Sequence, residues 1–93
     1  MKDSADASAN HFDIFTAKGT GKIELFGDVI KVRAQKAFDV RLSYVISLEK
    51  LGSLPLNKVS VALKYFDMFG NSETFEFAMR EMNYKAFKRA VGK

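Results

Sequence analysis

One stretch of alternating residues in the first third of the chain limits the possible folds more than any other feature. In Lys22-Ile23-Glu24-Leu25-Phe26-Gly27-Asp28-Val29-Ile30-Lys31-Val32-Arg33, apolar and polar side chains alternate on both sides of a Gly-Asp pair. A period of two sends successive side chains to opposite faces of a strand. Gly-Asp suits a two-residue hairpin turn, because glycine supplies the positive φ such turns need. Closing the chain there sets Leu25 against Ile30, Ile23 against Val32 and Glu24 against Lys31. The four aliphatics then share one face and the charges the other. A slip of one residue would destroy that sorting, so the segment is a hairpin of defined register.

A second hairpin runs from about Val59 to Met79. Its apolar set is Val59, Val61, Leu63 and Tyr65, then Phe75, Phe77 and Met79. Asp67-Met68-Phe69-Gly70 reads as a type I turn followed by a left-handed glycine. Between the hairpins, Val40, Leu42, Tyr44, Ile46 and Leu48 alternate with mainly polar residues, as one long strand or as two broken near Ser43. Gly52-Ser53-Leu54-Pro55 is expected to turn, Phe12 to Thr16 to form a first strand, and Lys18-Gly19-Thr20-Gly21 to form a loop.

The period changes at the end of the chain. Tyr84, Phe87 and Val91 stand at i, i+3 and i+7, with Lys85, Lys88 and Arg89 on the other face. Asn83 is the expected N-cap, Met82 and Phe87 the expected hydrophobic staple, and Gly92 the C-terminal stop. One short helix with one apolar face has to cover something, and an open end of the sheet is the available surface. The expected fold is mainly β with one C-terminal α-helix: an antiparallel barrel or sandwich of about six strands.

The order Tyr44-Val-Ile-Ser-Leu-Glu-Lys-Leu-Gly, then the Val59–Met79 hairpin, then a helix carrying Phe87 resembles the PH-like superfamily, in particular its small prokaryotic members. The resemblance spans roughly Phe12 to Val91 in order and spacing. It implies a strongly bent barrel plugged at one end by the helix, with Phe87 as the plug. The sequence departs from the eukaryotic members in having no tryptophan, and a seventh strand is hard to find in it. An OB-like barrel or an open α+β sheet is the alternative architecture.

Composition sets the remaining bounds. Ninety-three residues, 47% of them hydrophobic and including nine Phe and three Tyr, suit one domain with a modest core. The acidic, small and polar residues 1–11 read as a flexible tail, and residues 12–93 as the domain. The N-terminal stretch lacks the apolar segment of a secretory leader, and no run approaches a membrane span. With no cysteine in the chain, disulfides and thiolate chemistry are excluded, and a cytoplasmic location is expected.

Catalysis finds no support in these residues. His11 is the single histidine, too few for an imidazole-built metal site, and neither catalytic residues, nor metal ligands, nor a cofactor are expected. Asp67 and Glu73 approach across the second hairpin, but near its tip, where water keeps a carboxylate pair ordinary. Lys18-Gly19-Thr20-Gly21-Lys22 lacks the spacing of a phosphate loop, and Ile23 stands where a hydroxyl belongs.

Two surfaces remain as candidates for binding. Large apolar groups near the hairpin tips, namely Phe26, Phe66, Met68 and Phe69, point to protein recognition or self-association. Unpaired edge strands that could accept another strand point the same way. Lys22, Lys31 and Arg33 share the outward face of the first hairpin and point to an anionic ligand, a lipid headgroup or a nucleic acid. The net charge of +4 suits that alternative. The PH-like resemblance adds to it, because phosphoinositide-binding members carry basic residues on their first strands. The expected function is a non-enzymatic binding or scaffold module, with protein recognition the leading form.

Overall fold

A computed structural model describes residues 11–92. The expectation of a flexible tail falls on residues 1–10, outside the described residues. His11 belongs to the domain instead, opening the first strand opposite Glu24. Seven strands follow in order: β1 (His11–Thr16), β2 (Gly19–Phe26), β3 (Val29–Arg33), β4 (Ala37–Arg41), β5 (Val45–Leu54), β6 (Lys58–Phe66) and β7 (Ser72–Arg80). Helix α1 (Glu81–Val91) ends the domain. All pairings are antiparallel, in the order β4-β3-β2-β1-β7-β6-β5, so β4 and β5 are the edges and the sheet is not closed into a barrel.

The first hairpin keeps the register read from the alternation, and the second takes one of the registers that match its apolar faces. Leu25 pairs with Ile30, Ile23 with Val32 and Glu24 with Lys31. Val59 pairs with Met79 and Val61 with Phe77. Gly27 and Gly70 take positive φ, 55° and 84°, at the two turns, a conformation that costs other residues more. Asp67 closes the second turn: its carbonyl accepts the Gly70 N–H, and its carboxylate accepts the N–H groups of Phe69 and Asn71, each at 2.9 Å.

The seventh strand comes from the stretch between the hairpins, which divides into β4 and β5, and two expected irregular segments are regular. Gly19–Gly21 is the start of β2, with Ala17-Lys18 alone making the turn from β1. Gly52–Leu54 ends β5, and the chain turns at Pro55-Leu56-Asn57 instead. The stretch between the hairpins does break at Ser43, inside a short 3₁₀ turn over Leu42–Tyr44. That turn shifts the alternation by one, so Val45 is buried while Tyr44 and Ile46 are exposed.

The inward face gathers Phe12, Ile14, Ile23, Leu25, Ile30, Val32 and Val40 from one half of the sheet. Val45, Leu48, Val59, Val61, Leu63, Phe77 and Met79 come from the other, with Phe75 half-buried against them. Helix α1 adds Tyr84, Phe87 and Val91, and Phe87, fully buried, meets the Phe12 ring at 5.5 Å between centroids. The helix starts earlier than expected. Asn83 does not cap it. Arg80 is the residue before its first turn, and the Glu81 N–H is satisfied by the Asn57 carbonyl at 2.8 Å. Met82 is 82% exposed, so no staple forms with Phe87. At the other end, Gly92 donates its N–H to the Lys88 carbonyl as the expected stop.

Candidate functional site

The sheet bends at β1, which meets β7 at the pair Phe15–Ala78. The bend brings the two hairpin tips to the same side of the molecule. Between them lies an open groove of about 660 Å³. Val29, beside the first turn, forms one wall; Phe66 and Met68, at the second turn, form the opposite one. Phe38 and Arg41 of β4, Tyr44 of the 3₁₀ turn and Tyr65 of β6 complete it.

The floor of this groove is aromatic and ordered. Phe38 stacks on Tyr65 with centroids 5.6 Å apart, meets Phe75 edge-on at 5.5 Å, and Phe75 stacks on Phe77 at 5.2 Å. This run continues the buried core outward until it reaches solvent. Its rim is exposed: Met68 and Phe69 are 83% and 81% accessible, and Phe66 and Tyr44 each about half. Burial, then the carboxylates of Glu73 and Asp67, push the Tyr65 hydroxyl above its usual pKa. The Asp67 carboxylate is also committed to the turn.

Of the four apolar candidates, Phe66 and Met68 line the groove directly. Phe69 stands at the apex of the adjoining turn. Phe26 is opposite Val29 in the β2–β3 pairing, with the Lys31 ammonium 5.6 Å from its ring centroid. Phe38, Tyr44 and Tyr65 escape sequence reasoning. They come from three separate elements, and only the bend assembles them. The edge strands are poorer acceptors than expected. β4 is five residues long. β5 has register shifts between Val45 and Ser47 and between Lys50 and Gly52. Lys88 of the helix also occupies the Leu48 carbonyl at 2.9 Å.

The three basic candidates separate. Lys22 stands on β2 and pairs directly with Arg33 on β3, whereas Lys31 lies two residues along, at Phe26. They therefore occupy the second and third strands. Arg33 is bound to Glu24 at 3.3 Å. Lys22 and Arg33 line a second groove, of about 490 Å³, at the bend. Arg80 joins them there from β7, together with Asp13, Phe15, Thr20 and Gly21. Gly21 is required by close approach: a Cβ there would lie 2.6 Å from the Arg33 carbonyl oxygen. Arg80 is the basic residue the sequence reading missed. Extending the second hairpin by one pair beyond Val59–Met79 sets it opposite Lys58.

Among the described residues, no three His, Cys, Asp or Glu side chains gather as metal ligands would. No helix among them is long and apolar enough to cross a membrane. Compared with protein-family models and with curated proteins, the chain matches none of them.

Proposed function

We propose that this chain is a non-enzymatic binding module of the PH-like kind, which recognises another protein, or a second copy of itself, through the groove between its hairpin tips. One observation carries the reading. Phe66, Met68, Phe69 and Tyr44 are exposed around one concavity whose floor is an ordered aromatic run joined to the core. Aromatic and Met side chains are what protein interfaces concentrate, and a rigid floor lowers the entropy cost of docking onto them. Arg41, Asp39 and Asp67 at the margin supply the polar rim that such interfaces carry. The PH-like part rests on seven antiparallel strands followed by a helix whose Phe87 is sealed into the core. The cysteine-free composition suits a reducing cytoplasm, where the module is expected to work.

The test is a photo-crosslinking residue at Met68, with one at Lys85 on the outer helix face as the control. A discrete product from Met68, absent from Lys85 and lost on Phe69→Ser, is expected in cells. Sedimentation of the purified protein then assigns the product to self-association or to a different partner. No discrete product from Met68, together with a monomer in sedimentation, overturns the reading.

A further inference from the structure

The turn between β5 and β6 is apolar, whereas turns ordinarily concentrate small and polar residues. Leu54, Pro55 and Leu56 follow one another there, all exposed. Leu56 is 83% accessible at a φ of 64°, a conformation that disfavours leucine and that burial does not offset here. An outlier of this kind, held without a local reason, points to a role outside the free chain. The turn is also anchored: the Asn57 carbonyl accepts the Glu81 N–H at 2.8 Å, tying its base to the start of α1. The result is a fixed, convex apolar knob, and clustered exposed apolar groups mark contact surfaces.

The charges at the foot of this knob are unbalanced. Lys58 stands directly opposite Arg80, and like charges so placed destabilise a sheet. Neither forms an ion pair among the described residues, whereas nearby Lys50 has Glu81 at 3.7 Å. The tip groove has the opposite bias. Asp39 and Asp67 line it against the single cation of Arg41, and Lys31, opposite Asp39, is drawn to the Phe26 ring. The Tyr65 pKa is raised by burial first, then by Glu73, opposite it in the register, and by Asp67. Those two carboxylates give the aromatic floor a negative field.

Knob and groove lie at opposite ends of β6. That strand has nine residues, so roughly 26 Å of strand separates Lys58 from Phe66 at about 3.3 Å per residue. The two surfaces therefore meet only between molecules. We infer that the 54–57 turn of one copy docks into the tip groove of the next, with Leu56 on the aromatic floor and Lys58 and Arg80 facing its carboxylates. This rests on the reading of the tip groove as a docking site, and it names the occupant. Because the two surfaces differ, the contact is heterologous, and copies add head to tail into a ring or an open row. Holding Leu56 outward in the free chain prepares it for docking and lowers the entropy cost of binding.

Sedimentation of the full chain at rising concentration should show species larger than the monomer, and added salt should weaken them. Leu56→Asn and Met68→Ser change exposed turn residues at the two ends. Each should weaken association by about tenfold or more without lowering the urea midpoint. Mixed in equal amounts, the two variants should form a dimer that grows no further. Leu56→Asn keeps a working groove and Met68→Ser a working knob, so one contact survives between them. A chain that stays monomeric at every concentration overturns the inference and leaves the tip groove to a different protein. Association that Leu56→Asn leaves at native strength also overturns it, and assigns the self-contact to two grooves face to face. A mixture of the two variants that stays monomeric is the third contrary result.

Discussion

Phe38, on the edge strand β4, stacks on Tyr65 of β6 with 19° between the ring planes, although no backbone hydrogen bond joins their strands. The contact closes one mouth of the folded-over sheet with side chains alone. Such pairs contribute beyond the area they bury. A double-mutant cycle of Phe38→Ala and Tyr65→Ala, read by urea unfolding, should give a coupling of about 0.5–1.5 kcal/mol. Additive losses would show that the two halves of the sheet do not support each other there.

Tyr65 also gives the fold an alkaline limit. Its pKa is raised by burial, then by Glu73 and Asp67, so the folded protein keeps a proton that the unfolded chain loses. The contribution is fully present below about pH 10, where an unfolded tyrosine ionises. It is lost as pH rises through the folded value. Stability should fall above about pH 10 more steeply in the native protein than in Tyr65→Phe. Parallel declines in the two proteins, by urea unfolding, would assign the alkaline loss to other groups.

Leu56 carries strain that the fold tolerates. It and Asn57 have φ of 64° and 60°, and Leu56 is 83% exposed, so burial gives nothing back. A non-glycine residue in this region costs ~1–2 kcal/mol, and asparagine less than leucine. Leu56→Asn should raise stability by about 0.5–1 kcal/mol in urea unfolding. A loss would mean that Leu56 makes a contact within the domain that outweighs the strain of its positive φ. The Asn57 carbonyl, which holds the first helical N–H, is left in place by this change.

Much of this architecture is legible in the sequence wherever a two-residue period meets a turn with specific requirements. Ile23, Leu25, Ile30 and Val32 are buried as the alternation demands, and Gly27 fixes their register. Legibility fails where the backbone departs from that period. The 3₁₀ turn at Leu42–Tyr44 exchanges Ile46 for Val45 in the core; a break near Ser43 is legible, but not the change of face that comes with it. Asn83 looks like a cap by residue type, but the Asn57 carbonyl, distant in sequence, supplies the partner instead. The tip residues Phe66 and Met68 were visible as misplaced apolar groups. Phe38 and Tyr44, which complete their groove, were not, because alternation places a residue on a face but cannot say how far a sheet folds over.

The two irregularities in β5 have a further effect. Ile46 and Leu51 each fall at a register shift and are turned outward, cutting the ten-residue strand into short paired stretches. A long, straight border of unsatisfied amides and carbonyls would invite copies of the chain to zip together without limit. Here the border is kinked twice and partly occupied by the Lys88 ammonium, so open-ended fibre growth along it is disfavoured.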